Sequence, residues 1–176
     1  MSKIINMKFI KSFLFGITGL FCFATVLSLL IPSHIKVSRT ILINADREKI
    51  HHSIALLQNW QNWNPLFKND SIKIVYTKPD SSACEIIKNE QRSELVFLAK
   101  DSTSVKFKLQ SKGEDEIQNE IILSSIPHQS AIQVEWRSDT KLKWYPWEKF
   151  YGIFIDKLTG PGYEMSLQAL KNYLEK

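Results

Sequence analysis

Residues 12–31 run for 20 positions without a charged side chain (SFLFGITGLFCFATVLSLLI), and no other stretch restricts the fold of this chain as sharply. At about 1.5 Å per residue such a segment makes a helix about 30 Å long, which matches the hydrocarbon core of a bilayer. Twelve of the 20 residues are Phe, Leu, Ile or Val. At roughly −0.3 to −0.6 kcal/mol each on an insertion scale, they favour the membrane by about 4–7 kcal/mol. A cleaved secretory signal has a shorter apolar core, about 7–15 residues, and small residues before its cleavage point. Leu29-Leu30-Ile31-Pro32 offers no such site, and Cys22 follows the bulky Leu20-Phe21 rather than the small residues of a lipoprotein signal. The segment is expected to be an uncleaved transmembrane anchor. Lys3, Lys8 and Lys11 precede it, whereas the basic Lys36 and Arg39 beyond it are soon followed by Asp46 and Glu48. This bias predicts residues 1–11 as a cytoplasmic tail, and residues 36–176 on the outer side, the periplasm in a Gram-negative cell.

The same lysines dissolve an apparent hint of nucleic-acid binding. The formal charge is +5. Without Lys3, Lys8 and Lys11 the balance is 20 basic against 18 acidic residues, with no basic block or stripe. A phosphate backbone needs such a stripe, so no nucleic-acid partner is expected. Of the two cysteines, Cys22 lies in the apolar run and Cys84 in an expected strand, which excludes a disulfide within residues 36–176.

Beyond Pro32 the pattern is that of one α+β domain. Residues 37–44 (VSRTILIN) read as a strand rich in β-branched side chains. Asp46 then stands as a helix N-cap before Ile50, Ile54 and Leu57, and that helix is expected to end near Asn59. Trp60-Gln-Asn-Trp63-Asn-Pro65 follows as a turn or a second short helix. Strands are expected around Ile72, Ile74 and Tyr76, at residues 84–88 and 95–99, through Val105, Phe107 and Leu109, and at residues 120–124 and 132–137. Polar links, including residues 89–93, 111–115 and 127–130, separate them, so an antiparallel meander with one solvated face is expected. A helix over residues 146–158 follows. Pro161 is placed in the first turn of a last helix that carries Tyr163, Leu167, Leu170 and Leu174 on one face.

The opening VSRTILINADREKIHHSIALLQNWQNWNP and the close GPGYEMSLQALKNYLEK resemble the two ends of START-like, or SRPBCC, proteins of the polyketide cyclase/dehydrase type. There a strand runs into an Ile-Asn-Ala turn, a helix and paired tryptophans, and the chain ends in a Tyr-Glu-containing amphipathic helix. The resemblance spans residues 36–176 and is strongest at the two ends. It implies a helix-grip fold, in which a curved antiparallel sheet wraps a long C-terminal helix around an apolar cavity for a lipid-like or aromatic ligand. The residues whose parity or spacing turns them towards that implied cavity are Arg39, Tyr76, Phe97, Phe107, Trp136, Phe154, Tyr163, Leu167 and Leu170.

Each also has a plainer role. Arg39 shares strand parity with Val37, Ile41 and Ile43, and either anchors an anionic headgroup or snorkels to water. Tyr76 and Trp136 lie in phase with apolar neighbours, so core packing is their default role. Trp60 and Trp63 are expected to fix the junction between helix and sheet. Trp144-Tyr145-Pro146-Trp147 leaves three readings open: contact with lipid headgroups, a cavity rim, or a cap on the fold. His51-His52 point about 100° apart on a helix and have no companion ligands, so no metal site is expected. Glu135 falls on the solvated strand face with Gln133 and Arg137, and neither it nor Asp156 makes a convincing general base. No catalytic constellation or cofactor motif is present in the sequence.

The reading is therefore a membrane-tethered domain that binds a hydrophobic small molecule or lipid. A cyclase- or dehydratase-type enzyme, and an envelope interaction protein with a filled cavity, stay open beside it.

Overall fold

The computed structural model describes residues 7–176, with side chains from residue 10 onward; Lys3 and the side chain of Lys8 lie outside the described residues. In chain order the elements are α1 (Met7–Ser28), β1 (His34–Ile43), α2 (Arg47–Ala55), a 3-10 turn (Leu57–Asn59), α3 (Trp60–Trp63) and β2 (Lys73–Tyr76). There follow β3 (Ala83–Lys88), β4 (Gln91–Lys100), β5 (Ser104–Ser111), β6 (Ile117–Ser125), β7 (Ile132–Lys141), α4 (Pro146–Gly152) and α5 (Ile155–Leu174). They form two compact units: the chain up to Ser33 with Leu142–Phe154, and His34–Lys141 with Ile155–Lys176.

In the first unit, Ile10–Ser28 is long and apolar enough to cross a membrane. The Thr18 and Thr25 hydroxyls donate to the carbonyls of Leu14 and Phe21, so the helix satisfies its own polar side chains. α1 stops three residues short of the end of the apolar run. Leu30 N–H donates to Leu27 and Ile31 N–H to Ser28, a tightened last turn. Pro32 is the cause, because a proline pushes the residue before it out of the helical region.

The second unit is a seven-stranded sheet in the order β1-β7-β6-β5-β4-β3-β2, antiparallel throughout. Alternation builds it. In β7, Ile132, Val134, Trp136 and Ser138 are buried, while Glu135 and Arg137 form an ion pair on the other face. A register shift between Phe97 and Ala99 leaves Leu98 unpaired, a bulge of the kind that bends a sheet. β3 and β4 meet through a two-residue turn, Asn89 and Glu90, at φ 46° and 67°. Both central residues take the left-handed conformation that matches the twist of a hairpin.

α2 stops at Ala55, four residues before the expected end, and the chain rewinds through the 3-10 turn into α3. That break lets the indole N–H groups of Trp60 and Trp63 reach back to the carbonyls of Ile54 and Ser53, at 2.9 Å each. The expected helix over residues 146–158 divides into α4 and the start of α5. Pro161 lies inside α5 rather than at its first turn. Its missing N–H costs one helical bond, and tertiary contacts offset it. Ile155 in the first turn is buried, and the neighbouring Asp156 carboxylate takes two hydrogen bonds from Arg39, at 3.0 and 3.3 Å. Gly160 leaves room beside it for the Arg39 guanidinium, which a Cβ at this position would displace.

Candidate functional site

The strand registers place the inward-facing side chains in rows that cross the sheet. One row runs Arg39–Trp136–Ile121–Val105, and the next runs Val37–Ser138–Asn119–Phe107–Phe97. Every member of both rows except Arg39 is buried. Trp60 sits against this floor. Its ring centroid lies 5.2 Å from Phe107, 5.3 Å from Trp63, 5.5 Å from Phe67, and 6.0 Å from both Phe97 and Trp136. These edge-on and tilted ring contacts are the favoured geometry for aromatic pairs. Leu167 and Leu170 close the interior from α5 and are buried as well. The interior behind these rows is thus packed with the protein's own rings.

The third row differs. It runs Ile35–Thr140–Ile117–Leu109–Leu95–Cys84–Tyr76. Leu95 and Cys84 are buried, but Ile35, Ile117, Leu109 and Tyr76 are only half-buried although most of them are apolar. Tyr163 of α5, also half-buried, lays its ring against Trp136 at 5.1 Å and hydrogen-bonds the Ser138 hydroxyl. The polar groups of the inner face are satisfied. Trp136 donates its indole N–H to the Asn119 side chain at 3.0 Å, and the Tyr76 hydroxyl accepts from Gln61 at 3.0 Å. Burial pushes both phenols above their ordinary range, so both remain proton donors at neutral pH. Among the described residues no buried side-chain polar atom lacks a partner. The second unit therefore has a sealed aromatic interior and a third row of half-buried apolar side chains that ends at Tyr76.

The nine residues singled out from sequence fall into four groups. Phe97, Phe107, Trp136, Leu167 and Leu170 meet in the sealed interior. Tyr76, at the end of the third row, and Tyr163, against Trp136, are half-buried and pack on that interior. Arg39, half-buried and inward by parity, spends its guanidinium on Asp156, whose hydrogen bonds hold Arg39 above its ordinary pKa. Phe154 is 55% exposed and belongs to the unit of α1 and α4. Sequence reasoning passed over Leu109, Ile117, Asn119 and Ser138. Alternation alone turns Leu109 inward with Phe107, whereas Ile117, Asn119 and Ser138 needed the pairing register, which aligns them with Leu109 and Phe107.

Catalytic constellations do not form around the other candidates. His51 Nε2 contacts the Asp101 carbonyl at 2.7 Å, and no group of three metal-ligating side chains occurs among the described residues. Glu135 lies on the outer face, held below its ordinary range by hydrogen bonds from Arg137 and Ser38. Cys84 is fully buried, and desolvation pushes its thiol up to about 12, which makes it inert as a nucleophile.

Neither protein-family models nor curated proteins match the sequence. Solved structures do match. XoxI from Bacillus cereus superposes with a TM-score of 0.59 at 11% identity, over 81% of this chain and 96% of that one. A START superfamily protein from Mycobacterium smegmatis gives 0.60 at 17% identity, over 80% and 97%. The di-domain ARO/CYC StfQ of the steffimycin biosynthetic pathway gives 0.61 at 7% identity, over 81% of this chain and 51% of StfQ, so the chain spans about half of that protein. With seven antiparallel strands curved around a long C-terminal helix, and these neighbours, the chain has the START-like (SRPBCC) helix-grip fold.

Proposed function

We propose that residues 36–176 form a domain that binds a hydrophobic small molecule or a lipid along its half-covered third row, tethered to a membrane by residues 12–31. The observation that carries this reading is the graded burial of the sheet's inner face. Two rows are sealed by rings, and the third leaves Ile35, Leu109 and Ile117 half-covered in line with Tyr76, while Tyr163 packs on Trp136. Apolar walls with a few placed polar groups are what small-molecule sites are made of. The apolar row would take an acyl chain or ring, and the phenols would donate to a carbonyl or phosphate oxygen. The basic side chains ahead of the anchor support an N-terminus in the cytoplasm and the domain on the outer side.

The sealed interior favours a second reading, in which the grip is filled by its own side chains and the domain serves as a docking module in the envelope. A cyclase-type activity, suggested by the ARO/CYC neighbours, has less support. The half-buried Tyr76 and Tyr163 are phenols held protonated, which cannot act as general bases near neutral pH.

Native mass spectrometry of the full chain in mild detergent tests the proposal, with Leu109→Arg as the comparator. Wild type should retain a lipid-sized mass that Leu109→Arg loses, because the new charge lies in the apolar row. Lipid clinging to α1 would survive in both. A bare polypeptide, or equal retention by both proteins, would count against a ligand along this row.

A further inference from the structure

Short helices on a protein surface normally turn apolar residues in and charges out, and α4 does the reverse. Its buried positions are Pro146, Lys149 and Gly152, while Trp147 and Tyr151 face outward. Just before it, Trp144 is 66% exposed, and just after it Ile153 and Phe154 are exposed too. The buried lysine explains the inversion. Its ammonium donates to the Ile31 carbonyl at 3.0 Å and to the Ser33 hydroxyl at 2.7 Å, directly beyond the end of α1. The backbone N–H of Leu142 donates to the Ser33 carbonyl at 2.7 Å and fixes the entry to the segment at the same place. The ammonium thus meets one carbonyl and one hydroxyl, three and five residues beyond Ser28, the last residue of α1. The outward rings meanwhile touch one another: Tyr145 stacks on Trp147 at 5.0 Å and 9°, and Trp144 leans on Tyr145 at 5.1 Å.

We propose that Trp144, Tyr145, Trp147 and Tyr151 form a collar that inserts into the headgroup–acyl boundary of the bilayer crossed by α1, with Lys149 locking it at that depth. The proposal rests on the tether proposed above and adds to it a second point of contact with the membrane. Three observations select lipid as the occupant. The collar belongs to the same compact unit as the membrane-length helix. Hydrogen bonds to Ile31 and Ser33 pin it three to five residues beyond Ser28, where that helix ends. Its side chains are the Trp and Tyr rings that partition to membrane interfaces, with one apolar and one polar edge each.

Depth-dependent quenching tests it on the full chain in vesicles of phosphatidylcholine brominated near the carbonyl end of the acyl chains. Trp60, Trp63 and Trp136 are buried in the second unit and should be little affected. Wild type should therefore lose a large share of its tryptophan emission, and the double variant Trp144→Phe/Trp147→Phe should lose little. Equal fractional quenching in the two proteins would overturn the collar. Alkaline carbonate extraction of the same vesicles separates the two claims. Protein that stays with the membrane while Trp144 and Trp147 remain unquenched keeps the tether and removes the collar. Protein that is extracted removes both.

Discussion

Two regions of this molecule are built from the same aromatic residues and use them in opposite ways. In the second unit Trp60 is 1% exposed, meets five other rings, and gives its N–H to the α2 backbone. In the first unit Trp147 is 62% exposed and stacks on a single ring, while a lysine 5% exposed takes the inward place on the same helix. The difference shows that an aromatic side chain does not choose burial by itself. Burial follows from which partners its backbone can reach, a hydrogen-bond acceptor for the indole above all. Trp60 has the Ile54 carbonyl within 2.9 Å because α2 breaks early, whereas at α4 the backbone acceptors next to the inward face, Ile31 and Ser33, are occupied by Lys149 and Leu142.

The contrast is easiest to break at the tryptophans. Trp60→Ala should cost about 3–5 kcal/mol, because it opens a cavity at the centre of a packed cluster. Trp147→Ala in detergent should cost less than about 1 kcal/mol, the worth of one exposed ring contact. Chemical denaturation followed by near-ultraviolet circular dichroism compares them, and similar losses would erase the distinction. Lys149→Met comes next. It keeps the aliphatic length and leaves the Ile31 carbonyl without its donor, at a cost of about 1–3 kcal/mol. The loss should be local, seen as faster amide exchange across Leu142–Phe154 with an unchanged denaturation midpoint for the sheet. Unchanged exchange would mean that the buried ammonium does not hold α4.

What the sequence made legible follows the same line. Repeating patterns were readable: the alternation of Val105, Phe107 and Leu109, and the spacing of Tyr163, Leu167, Leu170 and Leu174, which all face the core side as expected. The fold class followed from them. Backbone pairing without apolar side chains was not readable. Residues 91–93 looked like a polar link, yet Gln91, Arg92 and Ser93 pair with Lys88, Ile87 and Ile86, because Asn89 and Glu90 alone make the turn. Pro161 was read by its local preference, and a buried Ile155 and the Arg39–Asp156 pair outweighed that preference from outside the window. For the site, parity put Arg39, Tyr76 and Trp136 inward, but parity carries no depth. Whether an inward residue is sealed or half-open depends on which row of the sheet it occupies, and that is a property of seven strands together.

The tyrosines repeat the comparison at lower energy and add a pH test. Tyr163 lies between Trp136 and Ser138, and Tyr151 on α4 is exposed. Tyr163→Phe should cost about 0.5–1.5 kcal/mol at neutral pH for one hydrogen bond, and Tyr151→Phe should leave stability unchanged. Burial raises the Tyr163 phenol above its ordinary value of 10.0, against the hydrogen bond with Ser138 that pulls it down. The unfolded chain then ionises first. The stabilisation by the neutral folded phenol is complete below about pH 10 and falls away as pH rises towards the higher folded value. Denaturation midpoints measured from pH 8 to 11 should therefore drop more steeply for wild type and Tyr151→Phe than for Tyr163→Phe. Equal slopes in all three proteins would place the Tyr163 hydroxyl in water, and the inner face would then be open to solvent at Ser138.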